Sequence, residues 1–330
     1  MFKYIVKRIA YSILILLGVS LIIYFLIRLM PVDFVQDKIN AMNQGGATVS
    51  VETQEAMYKM YGLGDNSVGG ILKGYFSWLS ALARFDLGTS FKYGIPVAQV
   101  IVEHMGISFA VALIATVFEF MIAIPLGITA ATHQYSIRDY LVTILVMIGI
   151  SLPSFFFGQM LKDVLSLKLG WFPSSGLVDA TASYAGIALL GDYVLHMFIP
   201  ILTIVILSIG ARMRMTRTNM LEVLNSDYIR TARAKGLKEK VVINKHAFRN
   251  TLIPLVTSMA GLLPSLFSGA IITEQVFDLP GIGNMALTAM NAGDIPFIMG
   301  YNMFLALLSV LGVLLADLAY GLVDPRVKLE

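Results

Sequence analysis

The sequence predicts an all-α polytopic membrane protein with six transmembrane helices, and three observations carry that prediction. Hydrophobic residues make up 57% of the 330 positions and charged residues only 14%, with a mean hydropathy of +0.77. That is more apolar surface than one soluble core of this length needs. Apolar runs recur at the length that matches a bilayer, since about 20 residues rising 1.5 Å each cross a hydrocarbon core of about 30 Å. Lys and Arg are distributed unevenly around those runs, as a fixed orientation requires.

The runs fall at residues 9–27, 106–131, 140–161, 194–211, 251–273 and 295–316. In lipid each can only be a helix, because its backbone groups must be satisfied within the segment. The first follows MFKYIVKRIA, whose charge suits a signal peptide, but the run is too long for an h-region and no A-x-A site follows. A retained first span is expected. With the N-terminus inside, the start, the 132–139 link, the 212–250 loop and the tail (Arg326, Lys328) hold 16 of the 24 Lys and Arg, whereas 162–192 holds two and 274–294 none. Both termini are therefore expected on the cytoplasmic side.

Residues 31–105 are too polar for the membrane and too long for a simple connection. With the first span they form one expected domain, 1–105, in which the polar part is a small extracytoplasmic cap. It has a helix over 50–61, started by Ser50 and stopped at Gly62, and a second over 71–84 with an apolar face. The other expected domain, 106–325, is a core of five spans. Pro125, Pro153, Pro200, Pro254 and Pro264 lie inside apolar runs, where each removes a backbone bond and bends its helix unless neighbours rescue it.

The region from Arg212 to Arg249 holds ten of the chain's Lys and Arg. At its centre Asn225-Ser226 is an N-cap pair, Asp227 to Lys235 make about two helical turns, and Gly236 suits the left-handed position that ends a helix. Residues 238–250 then form a second amphipathic helix leading into the next span. Arg230, Arg233, Lys235 and Lys238 make the surface cationic, which sets topology and attracts anionic membrane lipids. Charge does not account for Thr231, Ala232, Ala234 and Gly236, small residues that let another protein approach the backbone.

The string from Tyr228 to Leu237, YIRTARAKGL, resembles the cytoplasmic coupling motif of ABC-type importer permeases, in the form of the B-type permease of the oligopeptide and dipeptide branch. The general motif has an acid and two alanines before its glycine. Here Arg230, Thr231 and Ala232 stand in those places, and the missing acid fits the peptide branch. IRLMP closing the first span, YGL at 61–63, DLGTSF at 86–91, SLPSF at 151–155, LPGIG at 279–283 and DLAYGLVDPRVK from Asp317 follow in branch order.

The resemblance implies a type I ABC importer permease fold in a bacterial or archaeal cytoplasmic membrane. It implies a second related permease, two cytoplasmic ATPase subunits docked on Asp227, Tyr228, Ile229, Arg230, Thr231, Ala232, Arg233, Ala234, Lys235, Gly236 and Leu237, and an extracytoplasmic substrate-binding protein. Leu279, Pro280, Gly281 and Gly283 become an extracytoplasmic loop. The cargo implied is di- or oligopeptides, with nickel, glutathione or oligosaccharide as the alternative on the same fold.

No G-x-x-x-x-G-K-[ST] occurs in the chain, so ATP and Mg are expected on partner subunits, with no cofactor held here. No nucleic-acid partner is expected. Cysteine is absent, and His104, His133, His196 and His246 are far apart in sequence, so no metal site is expected. Asp317 and Asp324, at the end of the last span, are expected interface residues. Glu119 lies well inside a span, where a charge costs several kcal/mol unless paired or hydrated. It is either a helix contact or a pathway group that senses a peptide's amino end. Ser151 and Pro153 are pathway candidates as well. Ser151 with His196 raises an intramembrane hydrolase as a rival, alongside a stand-alone channel, but Leu152 and Pro153 follow the serine where an oxyanion hole would need a glycine-rich turn.

Overall fold

The structure is a computed structural model, and it describes residues 2–28, 34–44, 49–60, 67–258 and 261–323. YGL at 61–63, Asp324, Arg326 and Lys328 lie outside the described residues. Among those described, secondary structure is helical, with one isolated bridge between Thr89 and Pro96. The chain divides into two compact units, one of residues 1–105 with 285–310, the other of 106–284 with 311–330. The first unit thus takes in residues 285–310 in addition to the domain expected from sequence.

In the first unit α1 (Phe2–Arg28) carries the first apolar run. Leu14 and Leu26 on it are 70% and 61% exposed, as suits a helix that meets lipid rather than a protein core. Three short helices follow, α2 (Phe34–Gln44), α3 (Val51–Met60) and α4 (Val68–Leu82). The last two match the expected cap helices. Ser50 Oγ accepts from Thr53 N at 3.3 Å and Ser67 Oγ from Gly70 N at 3.0 Å, so each serine holds a first-turn donor. The sequence reading missed α2. Tyr24, Ile27, Tyr75, Ile298 and Met299 form the core of this unit. Ser20 and Tyr75 share a hydrogen bond of 3.0 Å within it, and a Cβ at Gly74 would collide with the Tyr24 hydroxyl.

The DLGTSF turn is built around an acid far away in sequence. Asp294, fully buried, accepts from Ser90 Oγ and from the backbone N–H groups of Phe91 at 3.1 Å and Lys92 at 3.0 Å. It also accepts from Phe297 N at 3.2 Å, which caps α15 (Ile295–Val323). Gly88 takes φ +83 in this turn, where a side chain is disfavoured. Tyr93 donates to Met285 O at 3.0 Å. Burial, then the Asp294 charge, pushes its phenol above the ordinary range.

The second unit is threaded by α5 (Val97–Thr132) and α8 (Ile187–Leu224). Among the described residues, four helices are long and apolar enough to cross a membrane: 7–27, 97–132, 187–224 and 295–317. The third expected span is two helices, α6 (Ile137–Ser151) and α7 (Ser154–Leu161), bent by 101° at Leu152 and Pro153. The physical cause is Pro153, which has no N–H to continue the ladder and pushes Leu152 into extended backbone. A π-helix, Lys162–Lys168, continues α7.

The run at 251–273 is likewise divided, into α11 (Phe248–Ser258), α12 (Leu262–Ser268) and α13 (Ile271–Val276). Gly269 separates the last two at φ +74, and a Cβ there would meet the Glu274 carboxylate and Gly283. The run at 194–211 is longer than expected. It continues as helix to Leu224, so Arg212, Arg214 and Arg217 are helical rather than loop residues.

Candidate functional site

Helix α9 (Asp227–Ala234) forms where the sequence places it, and Gly236 ends it at φ +75. Gly236 N donates to Arg233 O at 2.9 Å and Lys235 N to Thr231 O at 3.0 Å, so the last carbonyls are satisfied within the turn. The cap at the start differs from expectation. Ser226 Oγ donates back to Val223 O at 2.6 Å and takes no α9 N–H.

The amphipathic pattern of α9 fixes which face is which. Ile229 and Ala232 are buried with Ala131, Met220, Val242 and Ala247, a core drawn from α5, α8 and the π-helical turn Val242–Ala247. Ala232 therefore seats the helix on its own chain, a correction to its reading as part of an outer docking surface. Tyr228, Arg230, Thr231, Arg233, Ala234, Lys235, Gly236 and Leu237 are exposed. A short element is held at both ends by longer helices, with its small and cationic residues outward.

The connection past Gly236 is pinned by Arg233, which donates to Glu239 through Nη2 at 2.7 Å and Nε at 3.2 Å. Hydrogen bonding to Arg233 holds the Glu239 carboxyl below its ordinary range, and the same contact raises Arg233. Both side chains are about half exposed, so the pair contributes about 1 kcal/mol or less. Its contribution is present above the unfolded carboxylate pKa and is lost as pH falls through the lowered Glu239 value. Glu239→Gln is expected to leave protein abundance unchanged and to flatten the acid end of a thermal-melt pH series. A mutant whose profile overlays the parent's would remove the pair from the account.

Above α9, two ion pairs tie α8 to its neighbours. Arg217 meets Asp139 of α6 through two bonds, Nη2 to Oδ2 at 2.8 Å and Nε to Oδ1 at 3.0 Å. Arg212 meets Glu119 of α5 at 3.0 Å and lies over the Phe120 ring at 4.5 Å. Glu119 is thus a buried, paired helix contact, which favours the packing alternative over the sensing one. Glu119→Leu is expected to lower the yield of folded protein, with Arg212→Met in the same chain restoring part of it. A shift in cargo preference at normal yield would instead support sensing.

Ser151 Oγ donates to Met147 O at 2.8 Å, and His196 Nδ1 lies 3.1 Å from Asp192 Oδ1. The Ser151 hydroxyl is thus engaged with its own helix, and the Ser151–His196 hydrolase pairing gains no support from it. Pro153 occupies the N-cap position of α7.

The LPGIG loop wraps a carboxylate that sequence reading placed only at the start of a loop. Glu274 is 1% exposed. It accepts from Ser108 Oγ at 2.6 Å and Asn284 N at 2.9 Å, and Ser108 Oγ accepts in turn from Ile282 N at 2.9 Å. A Cβ at Gly281 or Gly283 would enter the Glu274 carboxylate. The glycines are there because backbone must close around the acid, while Leu279 and Ile282 are fully buried.

Sequence reasoning missed Arg212, Arg217, Asp139, Ser108, Glu274 and Asp294 as partners. Their long-range pairs lie 78 to 204 positions apart, and no local pattern announces them. An acid within an apolar run was the only available signal, and it singled out Glu119 alone.

Residues 123–329 match the family described as binding-protein-dependent transport system inner membrane component. Over 329 residues the chain is 35% identical to the oligopeptide transport system permease protein AppB of Bacillus subtilis, covering 99% of this chain and all of that one. It is 32% identical to the dipeptide transport system permease protein DppB of Escherichia coli K12, covering 99% of both. A chain of the MetNI methionine ABC transporter in an inward-facing crystal form shares the fold, with a TM-score of 0.51 at 18% identity over 69% of this chain and 97% of that one. The chain belongs to the family of binding-protein-dependent transport system inner membrane components, as a membrane-spanning transport subunit and not an enzyme.

Proposed function

We propose that this chain is one of two permease subunits of an ATP-binding-cassette importer for short peptides in a bacterial or archaeal cytoplasmic membrane, with both termini cytoplasmic. The observation that carries this reading is α9, a short helix anchored by Ile229 and Ala232 with a small, cationic outer face. Such an element can take up a push from an ATPase and pass it to α8 and to the helix beyond Val242. Two ATPase subunits, binding ATP and Mg, close on α9 of this chain and on its counterpart in a related permease. The spans then exchange inward-open for outward-open, an equilibrium that ATP biases. An extracytoplasmic binding protein delivers the cargo. Peptide cargo is supported by relatives named for oligopeptide and dipeptide transport.

Co-expression with candidate partner permease, ATPase and binding proteins, followed by reconstitution, tests the reading. Uptake of a labelled peptide that needs ATP inside and the binding protein outside is expected. ATP-driven uptake of nickel, glutathione or an oligosaccharide instead would move the cargo. A chain that carries solute with no ATPase attached would end the proposal.

A further inference from the structure

The bend between α6 and α7 exposes the start of a helix to a cavity. Pro153, at the N-cap position of α7, offers no side-chain oxygen to the first turn. Phe157 N bonds to Pro153 O at 3.0 Å, leaving the N–H groups of Ser154, Phe155 and Phe156 as the open donors that begin any helix. Such an end attracts anions through its free N–H groups and its dipole. A cavity of about 630 Å³ lies beside it, lined by Leu152 and Ser154 at the break and by Arg214, Met215 and Asn219 of α8 among others.

Two further features of the cavity point to an anion, independently of the helix end. Asn219 Nδ2 is buried without a hydrogen-bond partner among the described residues, and a buried donor in that state costs about 1–3 kcal/mol until something accepts from it. Arg214, one turn away, has no acid within ion-pair distance among the described residues, unlike Arg212 and Arg217 on the same helix. Broken helices whose ends face an anionic substrate group are a known solution in transporters.

We propose that this cavity is a carboxylate subsite, in which the α7 N-terminus, Arg214 and Asn219 receive the C-terminal carboxylate of a short peptide in transit. The inference rests on the peptide-import reading above. A lipid phosphate would offer the same anionic chemistry, and the measurements described next separate it from a peptide carboxylate. The volume is in the range of small-molecule sites, about 300–1,000 Å³.

The chain has no cysteine, so Met215→Cys places a single thiol of this subunit on the cavity wall. In the reconstituted complex, dialanine is expected to slow labelling of that thiol by an anionic methanethiosulfonate reagent, and dialanine amide is not. Adding Arg214→Gln should weaken protection about tenfold, the effect of losing one charge-assisted hydrogen bond. Asn219→Leu should act in the same direction, which guards against misfolding of the arginine variant. Equal protection by the amide overturns the carboxylate assignment. Labelling that depends on phosphatidylglycerol in the vesicles and not on peptide assigns the cavity to lipid and overturns it too. ATP-driven dialanine uptake by the unmodified complex is measured in parallel. Uptake without protection removes the subsite alone, whereas absence of uptake removes the import reading.

Discussion

Proline at position 236 is expected to abolish ATP-driven uptake while leaving the protein in the membrane at normal abundance. Gly236 sits at φ +75, and a proline ring holds φ near −65°. Proline also removes the N–H that donates to Arg233 O at 2.9 Å. The turn after α9 must therefore open, and the exposed face loses its angle to the helix that follows. Alanine is the control. A Cβ at 236 meets nothing within 4 Å, so Gly236→Ala bears only the left-handed conformational cost of about 1–2 kcal/mol and should retain part of the uptake. Ala232→Asp should abolish uptake by a different route, because its carboxylate would enter the core of Ile229, Met220 and Val242 and unseat α9. Uptake into vesicles, normalised to immunoblot abundance, checks all three. Wild-type uptake by the proline variant is the result that the lever account does not survive.

The second large effect is expected at Asp294. Asp294→Ala leaves Ser90 Oγ and the N–H groups of Phe91, Lys92 and Phe297 without their common acceptor. Three are backbone donors around a fully buried carboxylate, so the loss is on the order of 3 kcal/mol. Asp294→Asn should fall between, since one amide oxygen still accepts while the NH₂ faces donors. Ser90→Ala removes two bonds, the one donated to Asp294 and the one accepted from Tyr93 N at 2.9 Å, and should cost about 2 kcal/mol. Thermal melts in detergent should rank the parent highest, then Ser90→Ala, then Asp294→Asn, with Asp294→Ala lowest. An alanine variant that melts with the parent would show that the 86–91 turn does not depend on this acid.

Asp294 also shows where reading from sequence stops. DLGTSF stood out as a motif, and Asp86 and Gly88 explain part of it locally, since Gly88 N donates to Asp86 Oδ1 at 2.9 Å. Ser90 gains its meaning only from a residue 204 positions later. LPGIG is similar: its Pro-Gly pair reads as an ordinary turn, and only Glu274 beneath it shows why Gly281 and Gly283 tolerate no Cβ. The ten basic residues from Arg212 to Arg249 divide the same way. Arg230 and Arg233 are exposed on α9 as expected, while Arg212 and Arg217 belong to α8 and pair with acids on α5 and α6.

Local physics in the sequence determined the helical class, the long apolar helices, α9 with its left-handed stop, and the helices α3 and α4. Each depends on hydrophobic length, on a capping side chain or on glycine's access to positive φ, all of which act over a few residues. Tertiary structure alone decided that Ala232 faces inward, that Glu119 is paired, that the 251–273 run is broken at Gly269, and that Arg214 and Asn219 line one cavity with the start of α7. A helix pattern states which residues share a face but not what meets that face, and a buried charge or donor takes its role from whichever distant group satisfies it.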